Sequence, residues 1–147
     1  MGNEEHCELP VSNLSDGEAL ALMKKYKNVA VVGLSANPEK PSHYVPKYLK
    51  EHGWKIFPVN PTIQGEVLGE TAYPSLKEVP GGIDIVEIFR PPSDVPPIVK
   101  EAIARGAKVI WMQSGIVNNE SAKMARDAGL TVVMDKCMMA LHMRSGQ

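Results

Sequence analysis

Residues 27–45 read KNVAVVGLSANPEKPSHYV, and no other stretch narrows the possible folds as much. Val29, Ala30, Val31 and Val32 form a short apolar, mostly β-branched run, the pattern of a buried strand. Gly33 ends it, a loop of small and turn-forming residues follows, and Ser42 opens a helical pattern. A buried strand that passes through a glycine turn into a helix gathers free backbone N–H groups at the helix start. The helix macrodipole favours negative charge at the same place. The expectation is a corner that holds a phosphate, with the rest of the chain supplying its walls.

The flanking sequence extends this into an alternation of strands and helices. Ser15 and Glu18 have the spacing of a capping box, which predicts a helix over 16–26. A strand at 29–34, a helix at 42–52 stopped by Gly53, and a strand at 54–59 closed by Asn60-Pro61 follow. Residues 62–73 are irregular, with a short edge strand at 71–73 that Pro74 limits, and then a helical turn at 75–78. Strands at 83–89, 109–112 and 131–134 are separated by helices. The first runs from Ser93 or Asp94 to Arg105, with Pro96 and Pro97 near its first turn, and the second from Asn118 or Asn119 to Ala128. A helix at 137–143 closes the chain.

Strands that are apolar on both faces belong to a parallel sheet covered by helices. The predicted fold is therefore a doubly wound, mainly parallel α/β domain of three layers, α/β/α, with right-handed crossovers. With 71–73 as its third strand the order is 3-2-1-4-5-6, and the switch point opens between 29–34 and 83–89. Residues 1–13 are expected to form a flexible polar arm, and 14–147 one domain.

Composition sets limits on function. At a formal net charge of −1 over 147 residues, the chain lacks the basic excess of a general nucleic-acid binder. No apolar run approaches the roughly 20 residues of a membrane span. The opening MGNEEHCELP has no basic or apolar region of a signal peptide, and His6 stands where a myristoylation signal needs Ser or Thr. Two cysteines, Cys7 and Cys137, make neither a disulfide framework nor a four-ligand zinc site, so a reducing cytoplasm is the expected compartment.

Ligands of doubly wound sheets bind at the carboxyl ends of the strands. Those ends read Gly33-Leu34-Ser35-Ala36-Asn37, Asn60-Pro61, Phe89-Arg90-Pro91-Pro92, Gln113-Ser114-Gly115 and Asp135-Lys136-Cys137. Only the first glycine of G-x-G-x-x-G is present, Asn60 replaces the acidic residue that takes ribose hydroxyls, and the P-loop signature is absent. Both departures weigh against a dinucleotide site. The four histidines have no metal-ligand spacing, no nucleophile–base arrangement is legible, and Asp84 and Glu87 point to opposite faces of their strand. Most rim residues have two readings. Gly33 makes a tight turn or admits a ligand. Ser35 and Ser42 cap a helix or donate to phosphate. Lys40 and His43 are surface residues or anion contacts. Arg90 pairs with a carboxylate or with the ligand. Pro61, Pro91 and Pro92 break strands or wall an adenine or pantetheine. Gln113 bonds loop backbone or ligand amides. Cys137 is a small buried hydrophobe or, with Lys136 favouring its thiolate, a partner for a ligand thiol.

The segments VAVVGLS, KPSHYVPKYL, PVNP, VLGETAYPSL, DIVEIFRPPSDVP, EAIARGAKVIWMQSGIVN, ARDAGLTVVMD and KCM follow one another in this order. From about Leu20 onward they resemble the small stand-alone CoA-binding protein family, whose domain also forms the nucleotide-binding part of the succinyl-CoA synthetase α-subunit and of ADP-forming acyl-CoA synthetases. The resemblance implies a Rossmann-like fold that binds coenzyme A, or a short acyl-CoA, at the strand ends without catalysis of its own. The residues it implicates are Gly33, Leu34, Ser35 and Asn37 at the phosphate turn, Lys40, Ser42 and His43 at the second helix, and Asn60 and Pro61 after the second strand. Phe89, Arg90, Pro91 and Pro92 follow the fourth strand, and Gln113 and Gly115 the fifth. The alternatives are a CoA-handling subunit completed by a protein partner, or a dinucleotide-binding regulatory module.

Overall fold

The structure is a computed structural model that describes residues 8–146. Its strands are β1 (Asn28–Val32), β2 (Lys55–Val59), β3 (Glu66–Val67), β4 (Glu70–Thr71), β5 (Ile85–Ile88), β6 (Val109–Met112) and β7 (Thr131–Val133). The helices are α1 (Asp16–Lys25), α2 (Pro41–Glu51), α3 (Val95–Ala104), α4 (Asn119–Asp127) and α5 (Met138–Arg144). Five strands form one sheet in the order β2-β1-β5-β6-β7, and every neighbouring pair in it is parallel. This is the doubly wound, Rossmann-like arrangement expected from the sequence.

The third strand differs from expectation. Thr71 pairs with Glu66 in a separate antiparallel hairpin of β3 and β4. Only Tyr73 reaches the main sheet: its N–H donates to Pro58 and its carbonyl accepts from Asn60 N–H, both at 2.9 Å. Pro74 has no N–H to continue the ladder.

Alternation along the strands divides the core in two. Ala30, Val32, Val86, Ile88, Ile110 and Met112 pack toward α3 and α4. Val29, Val31, Ile85, Val109 and Trp111 pack toward α1, α2 and α5. The helices that follow β1 and β5 thus cover opposite faces, which opens a crevice between the carboxyl ends of these two strands. Residues 8–13, part of the expected arm, are tied to the body: Val11 N–H donates to Asn119 Oδ1, and Asn13 exchanges two hydrogen bonds with the Met134 backbone. Residues 1–7, with Cys7 and His6, lie outside the described residues.

α1 starts on the expected capping box, with Ser15 and Glu18 bonded reciprocally. α2 starts at Pro41, one residue before the expected Ser42, because Pro41 fits the first helical position and Lys40 becomes the cap residue. Lys40 makes no side-chain cap, and the first turn of α2 holds no acidic residue.

Gly33 lies in the left-handed region at φ 91°, and a Cβ there would stand 2.7 Å from the Phe89 carbonyl oxygen. Gly33→Ala is expected to cost about 2 kcal/mol or more, lowering the melting temperature by at least about 4 °C. Gly17→Ala, in open space on α1, is the control and should raise it slightly.

Glu87 is the one charged residue type enclosed in the described core; both its carboxylate oxygens are buried without a partner among the described residues. It lies between Val31 and Trp111 in the sheet. Burial pushes its pKa up to about 8. Between the ordinary value of 4.5 and about 8, the unfolded chain has lost the proton that the folded chain holds. Stability therefore falls as pH rises through that window, by about 1.4 kcal/mol per pH unit, and levels off above it. In denaturant unfolding series across that window, Glu87→Leu should flatten the slope and gain most at its alkaline end.

Candidate functional site

The loop between β1 and α2 is held by a chain of backbone contacts. Pro46, inside α2, has no N–H for the carbonyl of Ser42, four residues earlier. That carbonyl accepts from Ser35 N–H instead, at 3.1 Å. His43 Nδ1 donates to the Ser35 carbonyl at 2.7 Å, so the Ser35 residue is gripped on both sides. Ser35 Oγ accepts from Asn37 N–H, and Asn37 Oδ1 from Glu39 N–H, each at 3.0 Å. On the neighbouring strand end, Asn60 Nδ2 donates to the Leu34 carbonyl at 2.9 Å, and its Oδ1 accepts from Thr62.

Two cavities open on this rim. The larger, of about 610 Å³, is lined by the start of α2 with Lys40, Ser42 and Tyr44, and by Phe89–Pro92, Gln113–Ile116, Cys137 and Met139. The smaller, of about 410 Å³, lies on the α3 side and is lined by Gly33, Asn60, Pro61, Thr62, Pro74, Pro97 and Ile98, among others. Arg90 lines both. Its guanidinium also pairs with Asp94 at 2.7 Å, half exposed, so the carboxylate reading of Arg90 is met while the residue still lines both cavities.

Eight of the sequence-predicted residues meet in the larger cavity: Lys40, Ser42, Phe89, Arg90, Pro91, Pro92, Gln113 and Gly115. Gly33, Asn60 and Pro61 line the smaller. Leu34, Ser35, Asn37 and His43 line neither. Leu34 is fully buried in the core, and the other three brace the loop as described above. His43 is buried, at 9% exposure, which corrects its reading as a surface residue. Lys40 and the Asn60-Pro61 turn line different cavities. The α3 residues Pro97, Ile98 and Glu101 also line the smaller cavity and are not among the predicted site residues, which were drawn from the strand ends and the start of α2.

The far wall of the larger cavity is fixed by two contacts across α5. Gln113, at 4% exposure, accepts from Met138 N–H through Oε1 at 3.1 Å. Tyr48 Oη lies 2.6 Å from His142 Nδ1. Burial holds the His142 pKa below its usual value, which favours the neutral ring and leaves Nδ1 able to accept a hydrogen bond from the phenol. Lys136, expected beside the Cys137 thiol, is bound to Asp16 at 2.6 Å and keeps that carboxyl below its usual pKa. No described helix is long and apolar enough to cross a membrane.

Comparisons with known proteins bear on the family and the fold. The family model described as CoA binding domain matches residues 27–143. The uncharacterized protein YneT of Bacillus subtilis (strain 168) is 42% identical over 132 residues, covering 90% of this chain and 97% of that protein. A solved structure, the hypothetical protein from Pyrococcus horikoshii OT3, superposes with a TM-score of 0.86 at 40% identity, covering 93% of this chain and 96% of that one. The acetate–CoA ligase (ADP-forming) II subunit alpha of Pyrococcus furiosus is 32% identical over 123 residues; the match covers 76% of this chain and 27% of that subunit. With a rim that opens at the switch point of a parallel sheet and a family match across most of its length, this chain belongs to the CoA-binding-domain family.

Proposed function

We propose that this protein binds coenzyme A across the sheet rim. The observation that carries the reading is the pair of cavities that share Arg90 at the carboxyl ends of β1 and β5. The smaller one takes the adenosine against Pro61 and Pro97. The diphosphate crosses at Arg90 toward the start of α2, where the Lys40 ammonium and the Ser42 N–H and hydroxyl have no partner among the described residues. The pantetheine arm then runs through the larger cavity over Pro91 and Pro92 to Gln113. Lys40 is assigned to the diphosphate rather than to the adenosine, because it lines the larger cavity.

Micromolar affinity needs about 8 kcal/mol. A helix N-terminus supplies about 0.3–1 kcal/mol, up to about 2 in a partly buried site, and a charged hydrogen bond about 1.5–3. Helix, Lys40, Arg90 and the apolar walls must therefore act together. The ligase activity named for the Pyrococcus relative belongs to a subunit of which this chain spans about a quarter, and no ligation is proposed here.

Calorimetric titration with CoA, dephospho-CoA and NAD tests the assignment: CoA should bind tightest, and a preference for NAD would refute it. Arg90→Ala should weaken CoA binding by about 10- to 100-fold. Its melting temperature should stay near that of the parent, since the exposed Arg90–Asp94 pair contributes about 0–1 kcal/mol. Pro46→Ala returns an N–H that competes for the Ser42 carbonyl and frees the Ser35 loop. The same titration should show about two- to tenfold weaker CoA binding without a lower melting temperature.

A further inference from the structure

The larger cavity ends at a thiol. Cys137 follows β7, is free and partly exposed, and lines the cavity with Lys40, Arg90 and Gln113. Two observations bear on what meets it. Gln113 is 96% buried, at 4% exposure, and its Oε1 is taken by Met138 N–H. Its Nε2 has no partner among the described residues and stays open to the cavity that the residue lines, a donor set for a ligand carbonyl. The second observation is distance. Along the rim, β1 and β7 are three strands apart in the order β1-β5-β6-β7. Three spacings make about 14 Å. Pantetheine has about 12 bonds between its phosphate ester and its sulfur; at peptide-like reach this also spans about 14 Å. A phosphate at the start of α2 therefore brings the ligand thiol to the end of β7, with an amide carbonyl passing Gln113 on the way.

We infer that Cys137 is a site of covalent capture of CoA by thiol–disulfide exchange. The oxidant is the disulfide form of the same ligand, CoA disulfide. The Cys137 thiol gives its proton to solvent, and the thiolate attacks the sulfur of the bound half. The Cys137–CoA disulfide forms, the original S–S bond breaks, and the second CoA leaves as a thiolate that takes up a proton. Cys137 sulfur is oxidised and the departing sulfur reduced, so electrons balance. A second thiol reverses the step. Bound in this way, the protein would distinguish an oxidised from a reduced CoA pool, holding the first covalently and the second reversibly.

The inference rests on the CoA reading above, and the experiment separates the two. Protein treated with CoA disulfide is analysed by intact mass under non-reducing conditions. The expected product gains one CoA less two hydrogens, loses it on addition of a thiol, and is absent in Cys137→Ser but present in Cys7→Ser. Glutathione disulfide at the same concentration should react at least about tenfold more slowly, since it lacks the groups that position the sulfur. Gln113→Glu keeps the oxygen that Met138 needs and removes the free donor, so capture should slow by about two- to tenfold. An adduct on Cys7, no adduct, or equal rates with both disulfides would overturn the inference. A parallel titration of the parent protein with reduced CoA in the presence of a phosphine reports on the CoA reading alone: absence of binding there refutes that reading, whatever the adduct shows.

Discussion

The rim depends on one carbonyl. In an uninterrupted helix the Ser42 carbonyl would accept from residue 46; with proline there it is released, and Ser35 N–H takes it. His43 from the same helical turn holds the other side of Ser35. The loop after β1 is thus built by the helix that follows it. A backbone braced before the ligand arrives loses little freedom on binding, which raises affinity without any added contact.

The second constraint is topological. α2 and α3 pack on opposite faces of the sheet, so the ends of β1 and β5 have helices leaving in opposite directions. Gly33 allows the two strand ends to close together, with the Phe89 carbonyl in the space a side chain would need. The glycine that looked like a place for ligand approach is first a place for strand approach. Its neighbour Arg90 gains from this: it stands at the seam and reaches a cavity on each side.

What the sequence shows clearly is what local pattern controls. The five main strands, the capping box of α1 and the rim of polar turns all follow from apolar runs and punctuating glycines, which act over a few residues. The short strand at 71–73 failed because pairing of Thr71 with Glu66 is a choice between two partners, and propensity does not rank partners. His43 and Lys136 failed for a related reason. Whether a polar side chain meets ligand, backbone or a distant carboxylate is settled by which segments fold against it, here Ser35 and Asp16. Glu87 was legible in part. A charged residue inside a run apolar on both faces has no solvent side to turn to, so its burial follows from the parallel-sheet assignment, although its lack of a partner does not.

That carboxyl also bears on the site. Glu87 belongs to β5, three residues before Arg90, beneath the rim proposed to hold an anionic ligand. Ionised, it would place a negative charge in a low-dielectric core, where it would weaken the attraction of Arg90 and Lys40 for phosphate. With its pKa raised to about 8, it is neutral at pH 7 and leaves the positive charge at the rim uncancelled. The stability lost by burying an unpartnered acid is thus offset, at neutral pH, by keeping the proton. Above that pKa the same group would oppose both the fold and the ligand, and so the stability of the sheet and the electrostatics of its rim are tied to one titration.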